Sequence, residues 1–437
     1  MLRIHRAERA DRLVQALGSV LVSPLDDPFQ VEIVAVPSRG VERWLSQRLS
    51  DRLGTSGAGG DGVCANVVFP FPGRLVGDAV AAATGVDRDT DPWLPERAAW
   101  PLLDTVEASL GEPWLAPLAA HLGGGGPDAD EHRLGRRLSV VRRIADLFDS
   151  YGVHRPAMVR AWAQGATTDG AGALLSLDAA WQAELWRRLR ERIATPSPAE
   201  RLADACDRLA AEPVLVDLPA RLSLFGLTRL PASYLDVLHA VAAGRDVHLF
   251  LLHPSPALWA RVAGHPERPA GVPRRADDPT AALPRHPLLR TWGRDAREMQ
   301  LVLTAGAGGA EEHHPVEPAA GTLLGRIQAD VRDDRPPPGE PLPGAATDDR
   351  LLLDPGDRSL QLHSCHGRAR QVEVVRDAIL HLLADDPTLE PRDVIVMCPD
   401  IESFAPLASA VFGLPADALG DPAGGDEAAA PGQAELR

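Results

Sequence analysis

The run VEIVAV (Val31–Val36) turns at once through Pro37-Ser38-Arg39-Gly40 into a segment with Val41, Trp44, Leu45 and Leu49 at helical spacing. A short β-branched run followed directly by an amphipathic helix is the repeating unit of a parallel sheet covered on both faces. The unit recurs. Leu2–Ile4 precedes a helical spacing of Leu13, Leu17 and Leu21 within Asp11–Val22, and a third apolar run lies around Ala65–Phe69. Further on, RLSLF (Arg221–Phe225) and DVHLFLL (Asp246–Leu252) flank a helical segment, Pro231–Ala243. From about Pro92 to Leu209 helix follows helix, broken by GGGGPDAD at Gly123–Asp130, a surface loop by composition. These patterns predict an α/β module with a large helical insertion.

Toward the C-terminus, Gly264–Pro284 and Asp333–Asp349 are rich in Pro, Arg and Asp and read as linkers. A second α/β module is expected to begin beyond them. Leu360–His363 reads as a strand, Arg368–Leu383 as a helix, DVIVM (Asp393–Met397) as a strand and Ser403–Phe412 as a helix. From Ala416 the composition falls to Ala, Gly, Asp and Pro without a period, which reads as a disordered tail. The expected organisation is a first module at 1–91 and 216–332, a helical insertion at 92–215, a linker at 333–349, an incomplete second module at 350–415 and a tail at 416–437.

All 45 basic residues are Arg, because the chain contains no Lys. That rules out a phosphate-loop lysine, a Schiff-base lysine and a Ser–Lys nucleophile. The formal charge of −16 argues against a free-standing nucleic-acid binder, so DNA contacts would come from local Arg groups or be shared with a partner. Cys64, Cys206, Cys365 and Cys398 lie far apart, the pattern of reduced thiols. The charged N-terminus lacks the apolar stretch of a signal peptide, and no run approaches the roughly 20 apolar residues of a membrane span. A cytoplasmic protein is expected.

The loop after VEIVAV occupies the position of a phosphate loop in a nucleotide-binding α/β domain. Here Pro37 has no N–H to donate and no Lys follows, so neither ATP hydrolysis nor another catalytic site is expected of this chain. His363, Cys365 and His366 have no second Cys/His pair near them in sequence, so a strand end is favoured over a zinc site. His313 and His314 read as solvent-exposed loop residues, and no metal is expected. Arg133, Arg136, Arg137, Arg142 and Arg143 fall on one predicted helix, and Arg187, Arg188, Arg190 and Arg192 on another. Phosphate contacts and a solvated face of ion pairs fit this spacing equally well.

Several ordered segments carry a resemblance. MLRIHRAERADRLVQAL, LDDPF and VPSRGVERWLSQRL open the chain; FPFPGRL (Phe69–Leu75), ADLFDSYGVHRP (Ala145–Pro156) and AWQAELWRRL (Ala180–Leu189) follow. FGLTRLPASYLDVLHAV, DVHLFLLHPSPALW, HPLLRTWGRDAREM, SCHGRARQVEVVRDAILHLL and PTLEPRDVIVMCPDIESFAPLASAVFG continue in order to about Pro415. Together they resemble the N-terminal portion of the RecC family, the gamma subunit of exodeoxyribonuclease V, whose members are much longer.

The resemblance implies a degenerate superfamily 1 helicase-like module, with a RecA-like parallel sheet, acting as a non-catalytic DNA-binding scaffold in double-strand-break repair and recombination. It implies RecB-type and RecD-type partner subunits that carry the ATP, Mg2+, helicase and exonuclease chemistry. It further implies duplex splitting, strand channelling and scanning for a Chi sequence. The family's Chi-contacting positions map to Pro37, Arg39, Arg43, Phe71 and Gly77, and to Asp146, Leu147, Asp149 and Arg155. The second set keeps the family's residue types; Pro37, Arg39, Arg43 and Gly77 depart from them. Phosphate contacts would fall to Arg136, Arg137, Arg142, Arg143, Arg187 and Arg188. An autonomous helicase or nuclease and an inert fragment are the alternatives.

Overall fold

The computed structural model describes residues 1–413 except 28, 55–61, 123–130, 267–273, 306–308, 318–320, 340–349 and 351; the side chains of 131–135 and 305 are also outside the description. The expected loop at Gly123–Asp130, the tail at 416–437 and most of the linker at 333–349 thus lie outside the described residues.

Strands β1 (Leu2–Ala7), β2 (Glu32–Ala35), β3 (Val67–Val68), β4 (Arg221–Phe225), β5 (Asp246–Leu252) and β6 (Ala310–His313) form one sheet in the order β3-β2-β4-β5-β1-β6. Every neighbouring pair is parallel. Helices α1 (Ala10–Leu21), α2 (Arg39–Ser50) and α3 (Pro72–Thr84) follow the first three strands. The insertion holds α4 (Pro95–Ser109), α5 (Ala116–Leu122), α6 (Glu131–His154), α7 (Pro156–Ala163), α8 (Ala180–Ile193) and α9 (Pro198–Ala211). Then come α10 (Ala232–Val241), α11 (Pro256–Ala263), α12 (Pro287–Thr291), α13 (Arg294–Ala305) and α14 (Leu323–Arg332).

Alternation along the strands sorts the core into two faces. Ile4, Leu222, Leu224, Leu249 and Leu251 pack with Leu75, Leu209 and Leu238 on one side. Val34, Val36, Phe225 and Phe250 meet Leu13, Leu17, Leu45 and Leu49 of α1 and α2 on the other. Each such side chain contributes about 1.5–3 kcal/mol by leaving water, which is why the apolar runs become central strands. The insertion has its own core, where Trp162 and Trp186 stand with ring centroids 6.4 Å apart beside Leu102, Phe148 and Leu189. On the α1/α2 face of the sheet His5 and His248 are buried among apolar neighbours; burial pushes His248 down to about 4 and His5 below the usual imidazole range.

Contacts divide the chain into one unit of Met1–Ala319 with Ile327–Asp349 and another of Ala320–Arg326 with Arg350–Arg437. Within the second, α15 (Arg368–Asp385) packs on α16 (Ile401–Phe412), with Arg368 5.8 Å above the Phe404 ring. No helix among the described residues is long and apolar enough to cross a membrane.

Three expectations are corrected. Leu360–His363 and Asp393–Met397 are not strands: both run without a ladder, and Leu362, Ile395 and Met397 are exposed. An apolar β-branched run becomes a strand only where another backbone accepts its hydrogen bonds. Arg274–Pro284, read as linker, is in part ordered, since Thr280 is buried and Asp278 forms a buried ion pair with Arg297. Ala310–His313, read as loop, is the edge strand β6, held by backbone pairing to β1 rather than by apolar side chains.

Candidate nucleic-acid interface

In a parallel sheet the loops leaving the carboxyl ends of the strands gather along one edge, where open α/β proteins bind ligands. The loops after β2, β3 and β4 meet there. Val36 donates its N–H to Pro70 O at 3.0 Å, joining the VPSRG and FPFP segments. Ser38 caps α2 through its side chain, which accepts from Val41 N at 3.3 Å. Pro37, Arg39 and Arg43 are exposed beside it, and the exposed Phe71 is the residue before α3. Arg43 makes interactions within the protein.

The second set of expected contacts lies near the end of α6, tied to this edge by Ser233 Oγ donating to Val153 O at 2.7 Å. One stripe of α6 buries Val141, Ile144, Ala145 and Phe148, while Arg136, Arg143, Asp146 and Leu147 lie outward at helical spacing. Asp146, Leu147, Asp149 and Arg155 are all water-accessible.

A cleft of about 220 Å³ opens between α3, α10 and the insertion, and it brings Gly77 and Asp149 together from the two separated sets. Its walls include Val76, Val80, Phe148 and Trp186, and its polar groups include Arg88, Asp91, Asp149, Arg201 and Tyr234. Small residues in α3 make the space. A Cβ on Gly73 would stand 3.1 Å from the Tyr234 hydroxyl, and one on Gly77 3.1 Å from Arg88 Cδ. Asp149 is exposed at the cleft mouth; partial desolvation by the cleft walls, with Asp146, Glu96 and Asp91 adding negative charge, pushes its carboxyl up to about 6. Burial, reinforced by Asp149, raises the Tyr234 phenol, so it stays a hydrogen-bond donor. Arg201 pairs with Asp91, and its Nε and Nη1 are buried with no hydrogen-bond partner among the described residues. An apolar slot rimmed by such donors and a carboxyl suits a flat heterocycle with polar edges.

The arginines separate. Arg136, Arg142 and Arg143 are exposed on α6, whereas Arg137 is buried and has partners within the protein. The Arg133 side chain lies outside the described residues. On α8 the arginines form ion pairs: Arg187 and Arg188 both bind Glu184, at 2.7 and 2.9 Å, and Arg188 also lies 4.9 Å above Trp114. Arg190 binds Glu200 at 2.7 Å and Arg192 binds Asp104 at 2.6 Å. His363, Cys365 and His366 lie in an irregular, largely exposed segment. Sequence reasoning missed Arg88, Arg201 and Tyr234. No sequence signal marked them, because the cleft forms only where α3, α10 and the insertion meet.

The all-parallel sheet, the helical insertion and the cleft between them define an α/β protein whose polar site sits at the sheet's carboxyl edge. The family model described as RecC, N-terminal domain matches residues 2–334, and the chain belongs to the RecC family. It is 47% identical over 415 residues to the "RecBCD enzyme subunit RecC" of Mycobacterium tuberculosis (strain ATCC 25618 / H37Rv), covering 94% of this chain and 36% of that relative. The Mycolicibacterium smegmatis protein of the same name is 46% identical over 414 residues, covering 94% of this chain and 34% of the relative. That of Escherichia coli K12 is 29% identical over 453 residues, covering 95% and 38%. The chain thus spans little more than a third of the length of these curated relatives.

Proposed function

We propose that this chain is a non-catalytic DNA-guiding region of a RecBCD-type helicase–nuclease acting in double-strand-break repair and recombination. Residues 1–91 and 216–332 form a degenerate superfamily 1 helicase-like module, 92–215 its helical insertion, and 350–415 the start of a second module. RecB-type and RecD-type subunits are its partners and supply the ATP, Mg2+, helicase and nuclease chemistry. The observation that carries the reading is the β2–α2 loop: a family member keeps the strand–loop–helix geometry of a nucleotide site while that loop holds Pro37 and the chain holds no Lys.

On this reading a separated strand passes along the sheet's carboxyl edge, touching Pro37, Arg39, Arg43, Phe71, Gly77, Asp146, Leu147, Asp149 and Arg155. An unstacked base enters the cleft, where Asp149, Tyr234 and Arg88 meet its edge. Arg136, Arg142 and Arg143 are the phosphate contacts that the exposure of α6 supports. The test is co-expression with RecB-type and RecD-type subunits followed by size-exclusion chromatography and a DNA-stimulated ATPase assay of each fraction. Co-elution, with ATPase activity confined to fractions holding the partners, is expected. DNA-stimulated hydrolysis by the chain alone would overturn the non-catalytic reading, and failure to co-elute would make it an inert fragment.

A further inference from the structure

Three side chains from β1 and the β6 edge converge well away from the cleft. β6 pairs with β1 in parallel, with His5 opposite Glu312. Alternation then puts His5, Glu312 and His314 on one face of the sheet. His5 Nδ1 lies 3.1 Å from His314 Nε2 and 3.5 Å from a Glu312 carboxylate oxygen. One ligand atom from each of the three residues falls within 4.8 Å of the other two. Imidazole nitrogens bound at about 2.0 Å to a tetrahedral ion stand about 3.3 Å apart. The two imidazoles therefore already have nearly the separation that a shared ion requires.

The surroundings set ring orientation as well as distance. His5 Nε2 is 3.0 Å from His248 Nδ1, and the His5 ring stacks on Phe250 at 4.5 Å and on His248 at 5.3 Å. With the Nε2 hydrogen donated to His248, Nδ1 presents its lone pair to the cluster; an outer hydrogen bond of this kind commonly fixes the tautomer of a ligating His. His314 is anchored by its backbone N–H, which donates to Arg6 O at 2.8 Å. Glu312 is the exposed member, so an ion has an entry path and a negative charge to meet, while Arg3 is the nearby cation that opposes it.

We propose that His5, Glu312 and His314 form a binding site for a zinc-like divalent transition-metal ion, with water completing the coordination and His248 orienting His5. Two imidazoles and one carboxylate select such an ion over Mg2+ or Ca2+, which take oxygen ligands. Without metal, one hydrogen occupies the line between His5 Nδ1 and His314 Nε2. On binding, His314 gives up the Nε2 hydrogen and carries one on Nδ1 instead, so it stays neutral and both facing lone pairs turn to the ion. The ion then fastens the edge strand β6 to β1, and its binding is coupled to folding of that edge.

The test uses the full chain stripped with a chelator and titrated with Co2+, followed by displacement with Zn2+. One equivalent of cobalt with the strong visible bands of four-coordination is expected, together with a rise in Tm on zinc addition. His314→Ala and the exposed Glu312→Ala should each weaken binding by about tenfold or more and remove the Tm rise. His363→Ala, in a separate His-bearing segment, should bind as the parent does. Absence of stoichiometric cobalt binding would overturn the proposal, as would parent-like binding by both Glu312→Ala and His314→Ala.

Discussion

Replacing Asp149 with Asn should stabilise the protein, and the gain should depend on pH in one direction only. The Asp149 carboxyl is pushed from 3.8 to about 6 by enclosure in the cleft and by Asp146, Glu96 and Asp91. A shift of that size would correspond to about 3 kcal/mol for a sealed group. Asp149 is water-accessible, and screening through the cleft mouth reduces the figure to about 1–2 kcal/mol. The folded state holds the proton more tightly than the unfolded chain, so the carboxylate costs stability once both states are ionised. That cost is complete above about pH 7, shrinks as the pH falls through about 6 and is nearly gone at the unfolded value of 3.8. Asp149→Asn removes it, so the variant should exceed the parent by about 1–2 kcal/mol at high pH and converge with it near the low end. Urea unfolding followed by Trp fluorescence reads this directly, because all nine tryptophans lie in the first unit, and Trp93 and Trp186 line the cleft. A gain independent of pH would show that the carboxyl is not shifted, a loss of stability at high pH would show that a partner stabilises the carboxylate, and either would refute the reasoning.

Ser197→Ala removes a capping box in which Ser197 and Glu200 exchange side-chain and backbone hydrogen bonds at the start of α9. It should cost about 1 kcal/mol in chemical denaturation. Gly309→Ala would bring a Cβ within 2.6 Å of Leu2 O, so it should dislodge β6 from β1 at a cost of about 1–3 kcal/mol, read as faster amide exchange at Glu311–His313. The double variant Arg142→Ala/Arg143→Ala should leave Tm nearly unchanged. If both residues contact phosphate, it should lower the salt dependence of duplex binding by about 1.8 in log–log slope, measured by fluorescence anisotropy.

Where burial and periodicity coincide, the chain was legible from its sequence. VEIVAV, RLSLF and DVHLFLL are strands because their apolar side chains are covered on both faces, and that demand is visible in the residues themselves. The helices of the insertion follow from the same cause at a different period. The lack of Lys is a fact of composition and needs no fold to exclude a phosphate-loop lysine.

Tertiary structure alone decided the rest. AEEH carries no apolar signal, and it is a strand because β1 offers a free backbone edge beside it. The alternating LQLH (Leu360–His363) and the apolar DVIVM do carry the signal, yet they remain irregular without such an edge among the described residues. Gly77 and Asp149 share one cleft, and His5 lies against His314 across 309 positions of sequence, because sheet order and register set those distances. Periodicity reports which face of an element is buried; it says nothing of which distant strand lies beside it, and both the cleft and the histidine cluster depend on that pairing.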